Sequence, residues 1–371
     1  MVDNSDKMAK RSQSTERPAR PAPPLRTEVK LRHVARHAGV SESTVSNVMN
    51  GRSEKVGPET FQRVVESIRV LNYQPSHAAR LLRTGHTPML GLLVPSIANP
   101  FFSSLARELD DAAQKRGYRL LLGNTYRDPD KEHEFLEELM RYGARGAITT
   151  SSLAKQSQYI GLIERGLNMV SFDRRASPDF TVPIDYVSID NLHAGYAATQ
   201  HLISRGHRAI HYVTAPAKTL SRIDRRSGYE KAMTEAGLEA FIGVSEFDAD
   251  ATFMDSELPD VGRRIAKEIA AQKDRPTGIV AMNDMLAIGV IAGLHEAGLK
   301  VPDEVSVIGI DDLYLDSLIT PALTSMRQPL AEIAETMVER IRLRLTDPRT
   351  PTTERVFKAE LVERASVKNR S

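Results

Sequence analysis

Several short stretches carry side chains suited to holding a small, hydroxyl-rich molecule. The loop Ser96-Ile97-Ala98-Asn99-Pro100-Phe101-Phe102 offers a hydroxyl at Ser96 and, at Asn99, an amide that both donates and accepts. Phe102 adds a ring face on which a sugar can stack, whereas Phe101 reads as core packing. Further along stand Asp173-Arg174, Asp190, the Arg225 of an Arg-x-x-Gly pattern and the Asp284 of Asn283-Asp284. Guanidinium donors beside a carboxylate acceptor match vicinal hydroxyls, where paired donors and acceptors give specificity. Asp284 could equally cap a helix beginning at Met285, which would not exclude it from ligand contact. Asp311-Asp312 reads as a strand end where the chain leaves one lobe, not as a metal pair, because neighbouring side chains need not face one site. Catalysis finds no support. There is no Walker A loop, no Gly-x-Gly-x-x-Gly after a strand, no His-Glu-x-x-His and no Gly-x-Ser-x-Gly, and Lys131-Glu132-His133-Glu134 lacks metal-ligand spacing. With no Cys among 371 residues, thiolate nucleophiles, disulfides, zinc fingers and iron–sulfur clusters fall away together. The expectation is a binding protein, not an enzyme, with no metal and no cofactor.

The elements that must position these residues begin at Met89. MLGLLVP is a continuous apolar run, as a strand buried on both faces should be. An amphipathic helix (102–116) follows, then YRLLLGNT, a helix (131–142), GAITTS, a helix and NMVSFD. The second half repeats the alternation through YVSID, AIHYVT, a strand near Gly243, GIVAM and VSVIGID. Strand–helix alternation on this scale predicts parallel sheets with right-handed crossovers, here two doubly wound lobes. Ligands of such folds lie at the C-terminal ends of the strands, which points to the cleft between the lobes.

The first 90 residues read differently. Residues 1–28 are rich in Arg, Lys, Ser and Pro and are expected to be a disordered basic tail. Leu31, Val34, Ala35 and Ala38 then form one helical stripe, closed by Gly39. Ser41 is a good N-cap for a second helix bearing Val45, Val48 and Met49, and Glu42 suits its first turn. Pro58 opens a third, with Phe61, Val64, Val65, Ile68 and Leu71 as its stripe. Two short helices joined by a turn with Gly and covered by a third predict a helix-turn-helix. Residues 1–90 hold 15 Lys and Arg against 8 Asp and Glu, so this end suits a polyanion. No apolar run is long enough to span a bilayer and the N-terminus does not read as a secretory signal, which predicts a cytoplasmic protein with no membrane partner.

VKLRHVARHAGVSESTVSNVMNGR, LNYQPSHAARLLRTG, GLLVPSIANPFF, SFDRR, GHRAIHYV, RRSGYEKAM, AMNDMLAIGV and VSVIGIDD occur in this order. In these motifs the sequence resembles the lactose-repressor (LacI) family of bacterial transcription regulators over residues 29–363. The resemblance implies an α/β chain with an N-terminal three-helix DNA-binding domain (29–75), a hinge helix (76–87) and a two-lobed doubly wound effector core like periplasmic sugar-binding proteins. The lobes would be 88–188 with 313–346, and 189–312 with 347–366, closing about crossovers near Ser188, Asp312 and Thr346. It places Glu42, Ser43 and Asn47 at base edges. Asn47 is able to pair with adenine and Glu42 to accept from cytosine, though Glu42 could instead serve only the helix dipole. Thr44, Ser46, Asn50, Asn72 and Tyr73 would be phosphate or positioning contacts. Ala79 and Leu82 would reach DNA from the hinge, Leu82 wedging into the minor groove. In sugar-binding relatives an Arg at the place of Arg174 bonds ring and hydroxyl oxygens, which makes Arg174 the first effector candidate. The partners implied are double-stranded operator DNA, a second copy of the chain and a small effector, a sugar or sugar acid. A nucleobase or protein co-regulator, or a sugar-binding protein without a DNA role, are the alternatives.

Overall fold

The computed structural model describes residues 29–49, 55–73, 87–150, 156–176, 182–215, 219–244 and 257–370, and the chain falls into two compact units, residues 1–80 and 81–371. The described part of the first unit holds α1 (Leu31–Ala38), α2 (Glu42–Met49) and α3 (Pro58–Val70). Gly39 stops α1 at φ 65°, a conformation that costs a residue without Cβ little, and its N–H and that of Val40 close on the α1 carbonyls. The Ser41 Oγ accepts from the Thr44 N–H at 3.2 Å and so caps α2. Val34, Ala35, Ala38, Val45, Val48, Val64 and Tyr73 form the small core. Val65, expected in the stripe, is 41% exposed. Ser67 is buried instead, its hydroxyl held by the Arg63 carbonyl at 2.7 Å and His37 Nδ1 at 2.9 Å.

In the second unit, β1 (Met89–Val94), β2 (Arg119–Asn124), β3 (Gly146–Thr149), β4 (Asn168–Phe172), β5 (Asp185–Ile189) and β11 (Glu354–Phe357) make a parallel sheet of order β11-β5-β4-β3-β1-β2. A second sheet has the order β12-β10-β9-β8-β6-β7, from β6 (Ile210–Thr214), β7 (Phe241–Val244), β8 (Gly278–Ala281), β9 (Ser306–Asp311), β10 (Thr324–Arg327) and β12 (Glu360–Val362), with β12 antiparallel. Helices α4 (Pro100–Lys115), α5 (Pro129–Arg141), α6 (Gln156–Glu164) and α11 (Leu330–Thr346) belong to the first lobe; α7 (Asn191–Ser204), α8 (Leu220–Glu235), α9 (Leu258–Ala270) and α10 (Asp284–Glu296) belong to the second. Central strands are buried on both faces, as their apolar runs require.

Two of the three crossovers fall elsewhere than the resemblance implies. The first, after β5, lies close to Ser188. β10 pairs with β9 in the second sheet although the resemblance implies that residues 313–346 belong to the first lobe, so the chain crosses at 328–329, not near Asp312. β11 pairs with β5 in the first sheet although the resemblance implies that 347–366 belong to the second lobe, so the last crossing is at 358–359, not near Thr346. Strands as short as TSMR and ERVF carry no readable period, and pairing alone reveals their sheet. The return of the chain to the first lobe is fastened by Asp185, which is fully buried. It accepts from Arg340 Nε at 2.8 Å and from the Thr353 N–H at 2.8 Å.

Candidate functional site

On the first unit, α2 presents Glu42 and Ser43 fully to solvent and Thr44, Ser46 and Asn47 partly so. Ser41 Oγ lies 2.8 Å from Ser43 Oγ and 2.9 Å from Thr44 Oγ1, gathering hydroxyls at the positive end of the helix dipole, where a phosphate oxygen is favoured. Asn72 is exposed at φ 46°. Tyr73 packs into the unit's core at 7% exposure, and burial with the Glu42 charge pushes its phenol pKa up. Asn50, Ala79 and Leu82 lie outside the described residues.

On the second unit, the strand ends of both sheets enclose a cleft of about 590 Å³, counting its mouth open to solvent. From the first lobe come Asn99, Phe102, Arg127, Thr150, Phe172 and Asp173. Asn99 also fixes the start of α4, its Oδ1 accepting from the Phe101 N–H at 3.1 Å. Phe101 stands edge-on to Phe102 with centroids 5.2 Å apart and lies 6.2 Å from Phe172 at 25°, which makes an aromatic floor.

The second lobe contributes Arg222, Arg225, Asn283 and Asp311. Arg225 is 8% exposed and held at three points. Its Nε donates to Asn191 Oδ1 at 2.8 Å, Nη1 to the Met282 carbonyl at 2.7 Å, and Nη2 reaches Asp311 Oδ1 at 3.4 Å. Gln328 Nε2 donates to that same oxygen at 2.7 Å. Burial pushes the Asp311 carboxyl up to about 8 against the pull of Arg225, and the Asp284 and Asp173 charges add to the rise. Fixed donors and acceptors thus converge from both lobes around apolar rings, a geometry for hydroxyl and carboxylate groups.

Of the expected effector residues, Asn99, Phe102 and Arg225 line this cleft. Ser96, Arg174, Asp190 and Asp284 do not. Ser96 is buried and its Oγ accepts from the Ala98 N–H at 3.3 Å. Arg174 is buried among Tyr159, Tyr186 and Glu132, and desolvation lowers its guanidinium pKa. Asp190 caps α7 through the His193 N–H at 2.9 Å. Asp284 is fully buried, accepting from Ser325 Oγ at 2.6 Å and the Leu313 N–H at 3.1 Å, while its neighbour Asn283 caps α10 and faces the cleft. Arg127, Thr150, Arg222, Asn283 and Asp311 carry no ligand signal of their own in the sequence, and Asp173 enters only beside Arg174, although Asp311, like Asp190, closes a Val-Ser-x-Ile-x-Ile-Asp or Val-Ser-Ile-Asp run at a strand end. Among the described residues no cluster of three His, Asp or Glu side chains could hold a metal, and no helix is long and apolar enough to cross a membrane.

Comparison with known proteins bears on both units. The family described as "Bacterial regulatory proteins, lacI family" matches residues 30–76, and the "Periplasmic binding protein-like domain" matches residues 199–367. The chain is similar to the HTH-type transcriptional repressor PurR of Erwinia tasmaniensis, with 33% identity over 343 residues, 91% of this chain and 96% of the relative. A LacI family transcriptional regulator from Enterococcus faecium, solved with bound ribose, superposes with a TM-score of 0.66 at 28% identity, covering 76% of this chain and 100% of that one. The lac repressor dimer bound to operator superposes at 0.78 with 23% identity over 92% of this chain and 100% of that one, a likeness of fold.

Proposed function

The chain belongs to the LacI family of DNA-binding transcriptional regulators with an effector-binding core, and from that premise we propose that it is a repressor. It binds a palindromic operator as a homodimer, and a pentose-sized sugar or sugar acid in the cleft sets its affinity. The observation that carries the ligand class is Arg225, fixed by three hydrogen bonds in a cleft that Asp173, Asn99, Phe102 and Phe172 also line. The ribose held by the Enterococcus faecium regulator supports the same class. Ile97, Tyr314 and Leu318 stand exposed at 54%, 69% and 69%, large apolar side chains whose covering by a second copy would favour pairing of cores. Asn47 reads a base, the Ser41–Thr44 hydroxyls hold phosphate, and Leu82 wedges the minor groove, so that Leu82→Ala loses operator affinity and keeps non-specific binding at low salt.

A thermal-shift panel of pentoses, sugar acids and nucleobases tests the reading. A ligand at 100 times its dissociation constant stabilises by about 2.7 kcal/mol, several degrees for lobes of this size. A pentose or sugar-acid response upholds the ligand class. A second reading, a nucleobase in the same aromatic-floored cleft, is favoured by the PurR relative, and a response to nucleobases alone would replace the first.

A further inference from the structure

Two of the three crossovers between the lobes carry a buried amide that ends on a charge of the cleft. Asn191, 3% exposed, opens α7 just after β5, and Gln328, 4% exposed, follows β10. Asn191 Nδ2 donates to Asp173 Oδ1 at 2.9 Å while its Oδ1 accepts from Arg225 Nε at 2.8 Å. The line of bonds continues from Arg225 Nη2 to Asp311 Oδ1 and on to Gln328 Nε2. Asp173 belongs to the first lobe and Arg225 to the second, so one side chain at the pivot ties together a charge from each wall. A carboxamide can donate to a carboxylate through its nitrogen while its oxygen accepts from a guanidinium. Asn191 itself is not among the residues that line the cleft.

We propose that Asn191 is a positioning residue, whose amide sets the separation of Asp173 and Arg225 and thereby couples effector recognition to the angle between the lobes. This rests on the cleft being the effector site. A ligand that draws on Asp173 or Arg225 changes the bonds made at the pivot, so the walls cannot be occupied without a mechanical consequence there. The charged groups about the amide are Asp173 at the end of β4, Arg225 and Asp224 on α8, Asp311 at the end of β9, Asp190 beside it in sequence, and Arg175, which pairs with Asp224 at 2.9 Å.

Asn191→Asp discriminates this role from simple packing. With its proton, the introduced carboxyl keeps the shape and the donor–acceptor pattern of the amide. Without it, two carboxylates face each other and the bond to Asp173 becomes a repulsion. Because the chain has no Cys, spin labels on Glu134→Cys of the first lobe and Lys273→Cys of the second, both exposed, report the interlobe distance in the full-length protein without ligand. Burial and the facing Asp173 carboxylate raise the introduced carboxyl above the ordinary range, so the expected result is a distribution like the parent's at about pH 5 and one shifted or broadened at about pH 8 in Asn191→Asp only. Asn191→Ala, which removes both bonds without adding charge, should depart from the parent at both pH values, so a failure of the first variant to fold does not end the test. Distributions that match the parent for both variants overturn the proposal. D-ribose titrations of the same proteins should show affinity lost by about tenfold or more in Asn191→Asp at the higher pH and regained at the lower. A parent that ignores D-ribose counts against the sugar reading, and the distance measurement still decides the role of Asn191.

Discussion

Replacing Gly228 by Ala tests whether helix contact, not helix propensity, fixes the arginine of the cleft. Gly228 on α8 lies against Leu192 and Tyr196 of α7, and Gly195 of α7 lies against the Arg225 backbone of α8. A Cβ on Gly228 would sit 2.7 Å from the Tyr196 nitrogen and closer still to the Leu192 carbonyl oxygen. An ordinary contact begins at 3.4 Å, so relieving the closer of the two contacts requires the backbones to part by more than about 1 Å. Alanine favours the helix by about 1 kcal/mol over glycine, whereas overpacking backbone against backbone costs about 1–3 kcal/mol and the widened gap forfeits dispersion along the contact. The strain should win, leaving a net loss of about 1–2 kcal/mol in urea unfolding. Arg225 lies one turn away on the same helix and moves with it, which lengthens its 2.8 Å and 2.7 Å bonds and should weaken D-ribose binding about tenfold. Gly161→Ala on α6 is the control, since a Cβ there meets nothing within 4 Å and should stabilise by up to about 1 kcal/mol. A Gly228→Ala protein more stable than its parent, with unchanged ligand affinity, would refute the reasoning.

Three further outcomes follow from particular contacts. Arg340→Met strips the nearest cation from the buried Asp185 carboxylate while Arg344 stays 3.5 Å away, so urea unfolding should lose about 3 kcal/mol; a loss under about 1 kcal/mol would show that the carboxylate is not relied upon. Burial and the facing Asp284 push the Asp316 carboxyl up to about 10, so the folded chain keeps a proton that the unfolded chain releases near pH 4. The stability this group contributes is full below that pH and is lost as pH rises toward the folded pKa; Asp316→Asn should therefore gain on the parent from pH 5 to 8, by at most about 1.4 kcal/mol per pH unit, and parallel urea profiles would contradict it. Asn47→Ala should lose about 1–3 kcal/mol of discrimination between operator half-sites and leave the salt dependence unchanged, whereas a flattened salt slope would recast Asn47 as a phosphate contact.

Much of the fold is legible in the sequence because two signals are local. The stripe of Leu31 to Ala38, the stop at Gly39 and the cap at Ser41 each act within one or two turns, and α1 and α2 have the expected bounds. Buried parallel strands announce themselves as apolar runs. What escapes is set by partners far away in the chain. β10 and β11 are assigned to sheets by pairing with β9 and β5, over distances no window of sequence spans. The resemblance gives Tyr73 a phosphate or positioning role, and no local signal shows that its ring packs into the core with Val34 and Val64.

The cleft residues escaped for a sharper reason, which is the backbone at the strand ends. Asp311 at φ 142° and Asp312 at φ 56° are in conformations that favour glycine, and the two carboxylates diverge. Asp311 turns to the cleft's Arg225 and to Gln328, while Asp312 turns away to Arg327 at 2.6 Å and Arg364 at 2.5 Å. Neighbouring carboxylates that face apart do not converge on one ion, yet either alone can serve a ligand. The same divergence occurs at Asp173, φ 62°, which leaves its carboxylate in the cleft and sends Arg174 to the buried side of the sheet. Strain held at these strand ends costs about 1–3 kcal/mol per residue and persists because the surrounding hydrogen bonds over-determine it, a pattern that recurs where a site must be set in advance of its ligand. The recognition charges are thus aimed by backbone turns, spaced by the amide of Asn191 and kept in place by the close passage of α7 and α8.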